Sequence, residues 1–237
     1  MRDKRGTFLL RRWEDLPESM RIPEVRPYWE SLDGKRTQLF IKRLLDILFS
    51  IVLVVLLAIP MAVIAVWIRL DSPGPVSFRQ ERVTSYGRHF MIHKFRTMVD
   101  NAQNIGSAVT VKDDSRITRS GNVLRKLRLD EIPQLFDVLN GDMSFVGTRP
   151  ESVKYVEMYR PEYMATLLMP AGITSEASIR YKDEDELLSA ADDVDLVYTE
   201  EILPEKMKWN LKSIEDFSMF SDLRTMFRTA RAVFGGR

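Results

Sequence analysis

Hydrophobic and polar positions divide this chain into unlike stretches. Between Asp46 and Arg69 runs ILFSIVLVVLLAIPMAVIAVWI, 22 residues without a charge. As a helix that run is about 33 Å long, enough to cross the hydrocarbon core of a bilayer. It is long for a helix buried in a soluble core. It starts too far in, and lacks the small-residue cleavage site, to be a signal peptide. Pro60 has no amide hydrogen and clashes with the carbonyl of Leu56, so an interior kink is predicted. Two membrane readings stay open: the helix spans, or it enters and returns on one face. Lys35, Arg36, Lys42 and Arg43 precede the run, and Arg69, Arg79 and Arg82 follow it. Positive flanks prefer the cytoplasm, and here both flanks are positive.

Elsewhere the periods are shorter. Residues 1–34, with Pro17, Pro23 and Pro27 among scattered charges, read as an irregular arm with room for a short helix. Ser72-Pro73-Gly74-Pro75 is a turn. VSFRQERV and RHFMIHKFRTM follow, separated by Ser85-Tyr86-Gly87, and predict a hairpin with Phe90, Ile92 and Lys94 on one face. A short helix is predicted over 99–105, then a polar loop to about Ser120. Gly121–Leu129 reads as a basic helix and Asp130–Leu139 as a second, ended by Asn140-Gly141. Residues 151–169 carry a broken helical pattern, with Pro161 at a turn or a new start. Near the end, Phe220, Leu223, Met226, Phe227, Ala230, Val233 and Phe234 recur at helical spacing, with Arg224, Arg228 and Arg231 largely on other faces. That helix either lies on anionic lipid or packs on the core.

Composition removes several function classes. With no cysteine the 237 residues hold no disulfide, thiolate metal site or cysteine nucleophile. Two histidines, His89 and His93, make a poor basis for a zinc site and read as structural. The net charge of +1 conceals a gradient: residues 1–46 sum to +3, 69–128 to +7 and 129–237 to −9. Ten acids and no base lie between Asp183 and Glu205, a predicted solvated loop with a helix that faces water and lacks calcium-loop spacing.

The window from Leu124 to Glu151, LRKLRLDEIPQLFDVLNGDMSFVGTRPE, carries the candidate chemistry. Proline belongs in the first turn of a helix, so Pro133 places Asp130 and Glu131 at a helix N-terminus. Partial positive charge there favours anions, and Arg125, Lys126 and Arg128 lie directly upstream. A carboxylate among arginines stays ionised, as a nucleophile or metal ligand requires. The same two residues also suit plain helix capping. Gly147-Thr148-Arg149-Pro150 frames a tight loop whose guanidinium can pair with phosphate or face solvent. Lys94 and Arg96 share a strand face and could add to one anion site, and Arg116 lies in a basic turn, DSRITR.

At these elements the chain resembles the bacterial sugar transferases, the monotopic phosphoglycosyl transferases. KRLLDILFS before a proline-containing apolar run, GPVSFRQERV, FMIHKFRTM, the long DSRITRSGNVLRKLRLDEIPQLFDVLNGDMSFVGTRPE block and ILPEKMKWNL carry the likeness, in order, over residues 41–231. The resemblance implies transfer of sugar-1-phosphate from a UDP-sugar to undecaprenyl phosphate, with release of UMP. Asp130 would be the nucleophile and Glu131 its partner, both near magnesium; Arg125 and Arg149 would bind phosphate. It implies a mostly helical α+β fold: an arm (1–40), a re-entrant helix kinked at Pro60 (41–71), and a catalytic domain (72–237) with a small hairpin and interfacial amphipathic helices. The enzyme would sit on the cytoplasmic face of the bacterial inner membrane among its lipids, bind no nucleic acid, and resemble the small form of the family; a homodimer is left open.

Three departures stand out. Ile59 replaces the serine many members carry before the proline. Thr148 replaces the proline of GPRP. Ser175 replaces the last glycine of PGITG, which bears on loop 170–178 and sugar choice. Other reactions remain alternatives: a glycosyl transferase releasing UDP, or a non-enzymatic membrane-anchored anion-binding module.

Overall fold

A computed structural model describes residues 10–102, 114–181, 184–189 and 193–234. Residues 103–113, which take in the end of the predicted short helix and much of the polar loop, lie outside the described residues. Helices dominate. After two short 3-10 turns come α1 (Arg26–Asp33) and the long α2 (Arg36–Asp71). The hairpin pairs β1 (Ser77–Thr84) with β2 (Arg88–Phe95), register Thr84 opposite Arg88, across the predicted Ser85–Gly87 turn. Tyr86 and Gly87 both take positive φ there, 60° and 70°.

The predicted basic helix forms as α3 (Arg119–Lys126), with the Thr118 side chain accepting from the Gly121 amide at its start. The second predicted helix is split. Leu129–Glu131 is a 3-10 turn, and α4 begins only at Gln134 (Gln134–Asn140). Pro133 has no amide hydrogen to bond the Leu129 carbonyl, so the turn closes instead through Ile132 N–H, 3.3 Å from that oxygen. Gly141, at φ 86°, caps α4 as predicted. Strand β3 (Met143–Val146) pairs in parallel with β4 (Ala171–Thr174), a second small sheet that the hydrophobic pattern did not suggest. Between them lie α5 (Val153–Val156) and a 3-10 helix starting at Pro161. The chain closes with α6 (Glu176–Arg180), α7 (Glu184–Ser189), α8 (Val194–Val197), a π-type turn over Tyr198–Ile202, α9 (Leu203–Glu215) and α10 (Met219–Phe234).

The arm is irregular but not peripheral. Leu10, Leu16, Met20, Val25, Tyr28 and Leu32 are buried in the same core as Tyr155, Leu168, Met207, Leu211 and Phe217. The acidic stretch also departs from a fully solvated loop. Glu184 accepts from buried Lys206 at 3.0 Å, and Asp195 accepts from Lys154 and Tyr155.

Helix α2 is not a core helix: only 11% of its most apolar stretch is buried. Its two ends are nevertheless fastened to one body. Near the start, Arg43 donates to the carbonyls of Val138 and Leu139 at 2.6 and 3.0 Å, and Asp46 accepts from Ser144 Oγ at 2.8 Å. Near the end, Asp71 accepts from the amide and hydroxyl of Ser120 at 2.9 and 2.8 Å. Ile64 and Ile68 bury against Phe95 and Leu124. Between those anchors Val55, Leu56 and Ile59 stand 71, 66 and 77% exposed. The helix runs unbroken through Pro60.

Helix α10 is amphipathic in the inverted sense. Thr225 is buried, Asp222 pairs with buried Lys42 at 2.5 Å, and Thr229 meets Thr174 at 2.7 Å. Phe220 and Phe227 point outward, 78 and 71% exposed.

Candidate active site

The site is built where β2, the 129–131 turn and the loop after β3 converge. Arg128 makes the approach possible. It adopts the left-handed conformation, φ 57° and ψ 22°, which turns the chain sharply out of α3 and into the dyad turn. Asp130 and Glu131 both end up 8% exposed. Two carboxylates so deep need compensation.

Glu131 receives it directly. Its Oε1 accepts from Lys94 Nζ at 3.1 Å and from Arg149 Nη2 at 2.6 Å. Lys94 reaches it because it lies on the same β2 face as buried Phe90 and Ile92. Arg149 reaches it because the β3–β4 pair fixes the root of its loop. Gly147 N–H donates to Thr174 O at 3.0 Å and Gly172 N–H to Thr148 O at 2.8 Å. The backbones approach so closely that a Cβ on Gly172 would lie 2.2 Å from the Gly147 nitrogen. Only glycine fits such an approach.

The electrostatics separate the two acids. Burial pushes the Glu131 carboxyl up, but Arg149, Lys94 and Arg128 outweigh it and hold it well below the usual carboxylate range. Asp130 goes the other way. Burial and the Glu131 charge raise it, against the opposing pull of Lys94, Arg128 and Arg125. So the expected uniformly anionic pair is instead a committed anion beside a carboxyl whose ionisation costs more. Asp130 Oδ1 is buried and has no hydrogen-bond partner. Burial lowers Lys94, whereas the Glu131 charge raises Arg149.

Of the sequence-predicted phosphate ligands, the structure brings Lys94 and Arg149 to Glu131, and sets Arg125 near enough to Asp130 to favour its anion. Arg96 is turned elsewhere. Strand β2 ends at Phe95, so the alternation shared with Lys94 stops there. The Arg96 guanidinium donates to the carbonyls of Pro73 and Ser72 at 2.6 and 2.7 Å, tying down the turn after α2. Arg116 forks onto Asp114 and donates to Ala102 O. Two further site cations were read from sequence by position alone, Arg128 as upstream of the dyad and Arg82 as a flank of the apolar run. Placing Arg128 in the site would have required knowing its backbone conformation. Arg82 is half-buried near Glu151 and Arg149, and the alternation of β1 was its one signal for a place in the site.

Among the described residues no three His, Asp or Glu side chains cluster to hold a metal. The donor set still fits magnesium in the way that ion is usually held, by one or two carboxylates with the rest supplied by phosphates and water. The Asp130 carboxylate would supply one such ligand, whereas Glu131 Oε1 is already shared by two cations.

The chain is similar to several known proteins. Over 200 residues the chain is 38% identical to a UDP-N-acetylgalactosamine-undecaprenyl-phosphate N-acetylgalactosaminephosphotransferase of Aeromonas hydrophila, covering 83% of this chain and 44% of that one. Over 191 residues it is 35% identical to a UDP-glucose:undecaprenyl-phosphate glucose-1-phosphate transferase of Caulobacter vibrioides, covering 79% and 67%. A protein of Escherichia coli with that same activity in its name is 33% identical over 220 residues, 90% of this chain and 44% of its own. The chain thus spans less than half the length of two of these relatives. The model of the bacterial sugar transferases matches residues 37–236, from the start of α2 to beyond α10, and the chain belongs to that family.

Proposed function

We propose that this protein transfers a sugar-1-phosphate from a UDP-sugar to undecaprenyl phosphate at the membrane surface. The observation that carries the reading is the buried, unpartnered Oδ1 of Asp130, set among Lys94, Arg125 and Arg128 beside an acid whose charge is already neutralised. Such an oxygen is desolvated and free to attack, while the surrounding cations attract a diphosphate. Asp130 attacks the β-phosphorus; the new O–P bond forms as the bond to the bridging oxygen breaks, and UMP leaves with that electron pair. The lipid phosphate then attacks the same phosphorus and returns Asp130 as a carboxylate. Glu131 holds Lys94 and Arg149 in position to face the phosphates. Asp130 would hold magnesium, and the ion would supply neutralisation of charge on the diphosphate.

Membrane placement follows the same reading. Both ends of α2 dock on one domain while its middle stands clear, which supports a helix that enters and returns on one face; the positive flanks of the run support the cytoplasmic face. The outward phenylalanines of α10 support an interfacial role for that helix.

The test is Asp130→Asn in detergent-solubilised full-length protein with a panel of UDP-sugars, magnesium and undecaprenyl phosphate. Wild type should release UMP and the variant should not. Release of UDP by wild type would point to a glycosyl transferase that leaves the phosphate behind. No turnover, with salt-sensitive binding of anionic lipid, would point to a binding module.

A further inference from the structure

Among the described residues, Gln134 Nε2 is another buried side-chain atom near the dyad with no hydrogen-bond partner. Gln134 opens α4 and is 1% exposed. Buried side-chain amides are nearly always bonded, so an unbonded one calls for a reason. Its surroundings are defined. Lys94 reaches Glu131 on one side of it, and the amide and ring of His93 reach Asp137 on the other, at 2.9 and 2.6 Å. Gln134 therefore lies between two links that hold strand β2 to the dyad segment. It also follows Asp130 by only four residues, across the compact turn in which Ile132 N–H bonds the Leu129 carbonyl and Leu135 N–H the Ile132 carbonyl. Asp130 Oδ1 and Gln134 Nε2 are both buried and unpaired, and they do not bond each other.

We propose that Gln134 is a further catalytic residue: its side-chain N–H donates to a non-bridging oxygen of the phosphoryl group while that group is carried by Asp130. The inference rests on the transferase reading above. It explains why the amide is left open in the free protein, since its partner arrives with the substrate. A neutral donor suits this place. It stabilises charge developing on the phosphoryl oxygens without forming an ion pair with Asp130 that would blunt the nucleophile. No proton is transferred and no bond to Gln134 forms; the bond made is Asp130 oxygen to phosphorus, and the bond broken releases UMP.

The test is Gln134→Met, which keeps the length and bulk of the side chain and removes both polar atoms. Thermal denaturation and steady-state UMP release would be measured on the full chain with UDP-sugar, magnesium and undecaprenyl phosphate. The expected result is a melting temperature at or above wild type, KM for the UDP-sugar within about 3-fold, and kcat lower by about 10²-fold or more, the usual loss of one such donor. Without lipid acceptor, labelling of the enzyme by a radioactive sugar-phosphate should slow in parallel. Wild-type kcat in Gln134→Met would overturn the proposal, leaving Gln134 as packing. A lowered melting temperature in both Gln134→Met and Gln134→Leu would also overturn it, because the amide would then be bonded in the free protein. Absence of turnover in wild type would overturn the transferase reading itself, and this inference with it.

Discussion

Arg149 donates to Glu131 at 2.6 Å, and that contact joins the loop after β3 to the turn that carries Asp130. It is the shorter of two bonds to one carboxylate oxygen. Arg149→Ala leaves Glu131 buried with Lys94 alone. Losing one partner of a buried pair costs on the order of 3 kcal/mol, less here because the Arg149 side chain is 31% exposed. The expected outcome is a clear drop in melting temperature, with UMP release reduced by about 10²-fold. Arg149→Lys should recover part of the stability and little of the rate, since a lysine cannot present the same planar fork. An Arg149→Ala variant with unchanged melting and turnover would show the contact to be idle.

The dyad also predicts a pH effect with a definite sign. Burial raises the Asp130 carboxyl and the Glu131 charge raises it further. Attack requires the ionised form, so the acid limb of kcat/KM should lie above the usual carboxylate range. Glu131→Gln removes the negative neighbour, and the limb should move to lower pH even as the maximal rate falls. A limb that stays put, or moves up, would mean that Asp130 does not set it. For stability the signs are opposite for the two acids. Glu131, held low, contributes stability above its unfolded pKa that is lost as pH falls through its folded one. Asp130, held high, favours the fold below its unfolded pKa, and that contribution is lost as pH rises through its folded one.

Gly172 gives a test of the scaffold rather than the chemistry. A Cβ there would meet the Gly147 backbone nitrogen at 2.2 Å and oxygen at 2.3 Å, and neither can yield as a side chain does. Gly172→Ala should separate β3 from β4 and loosen the loop of Arg149. The cost should be about 1–3 kcal/mol, the usual penalty for forcing extra volume into a packed site. Urea denaturation would read the stability, and KM for the UDP-sugar the loosening. A variant as stable as wild type would mean that the two backbones separate freely.

How much of this was legible beforehand follows from how local each cause is. The hairpin was, because alternation and the Ser85–Gly87 turn are written in adjacent residues. So was the end of α4, because Asn140-Gly141 is a local stop. The dyad was legible as a pair, but the opposite electrostatic fates of its members were not. They depend on Lys94 and Arg149, brought in from 37 and 18 residues away. Arg96 misled because strand alternation says nothing about where a strand ends. The β3–β4 pair has four residues per strand, too few to show a period. The arm looked irregular because its apolar residues follow no period, yet they fill a core that only the folded chain assembles.

The membrane arrangement gives the last prediction, and the chain is well suited to it because it contains no cysteine. Single cysteines at Lys35 and Ser77 flank α2, and a third at Phe227 replaces an outward ring of α10. If α2 returns on the face it entered, an impermeant thiol reagent should label positions 35 and 77 only from the cytoplasmic side of oriented vesicles. Periplasmic labelling of either one would mean that the helix spans. An environment-sensitive fluorophore at 227 should blue-shift in vesicles containing anionic lipid and be quenched by a lipid-borne quencher, as expected of an interfacial helix. An unshifted, unquenched probe at 227 would place α10 in water. Buried Lys42 ties α2 to Asp222 of α10, so the two readouts are linked. Lys42→Met should leave the topology at 35 and 77 unchanged while weakening the signal at 227, because it cuts the strut that sets α10 against the membrane helix.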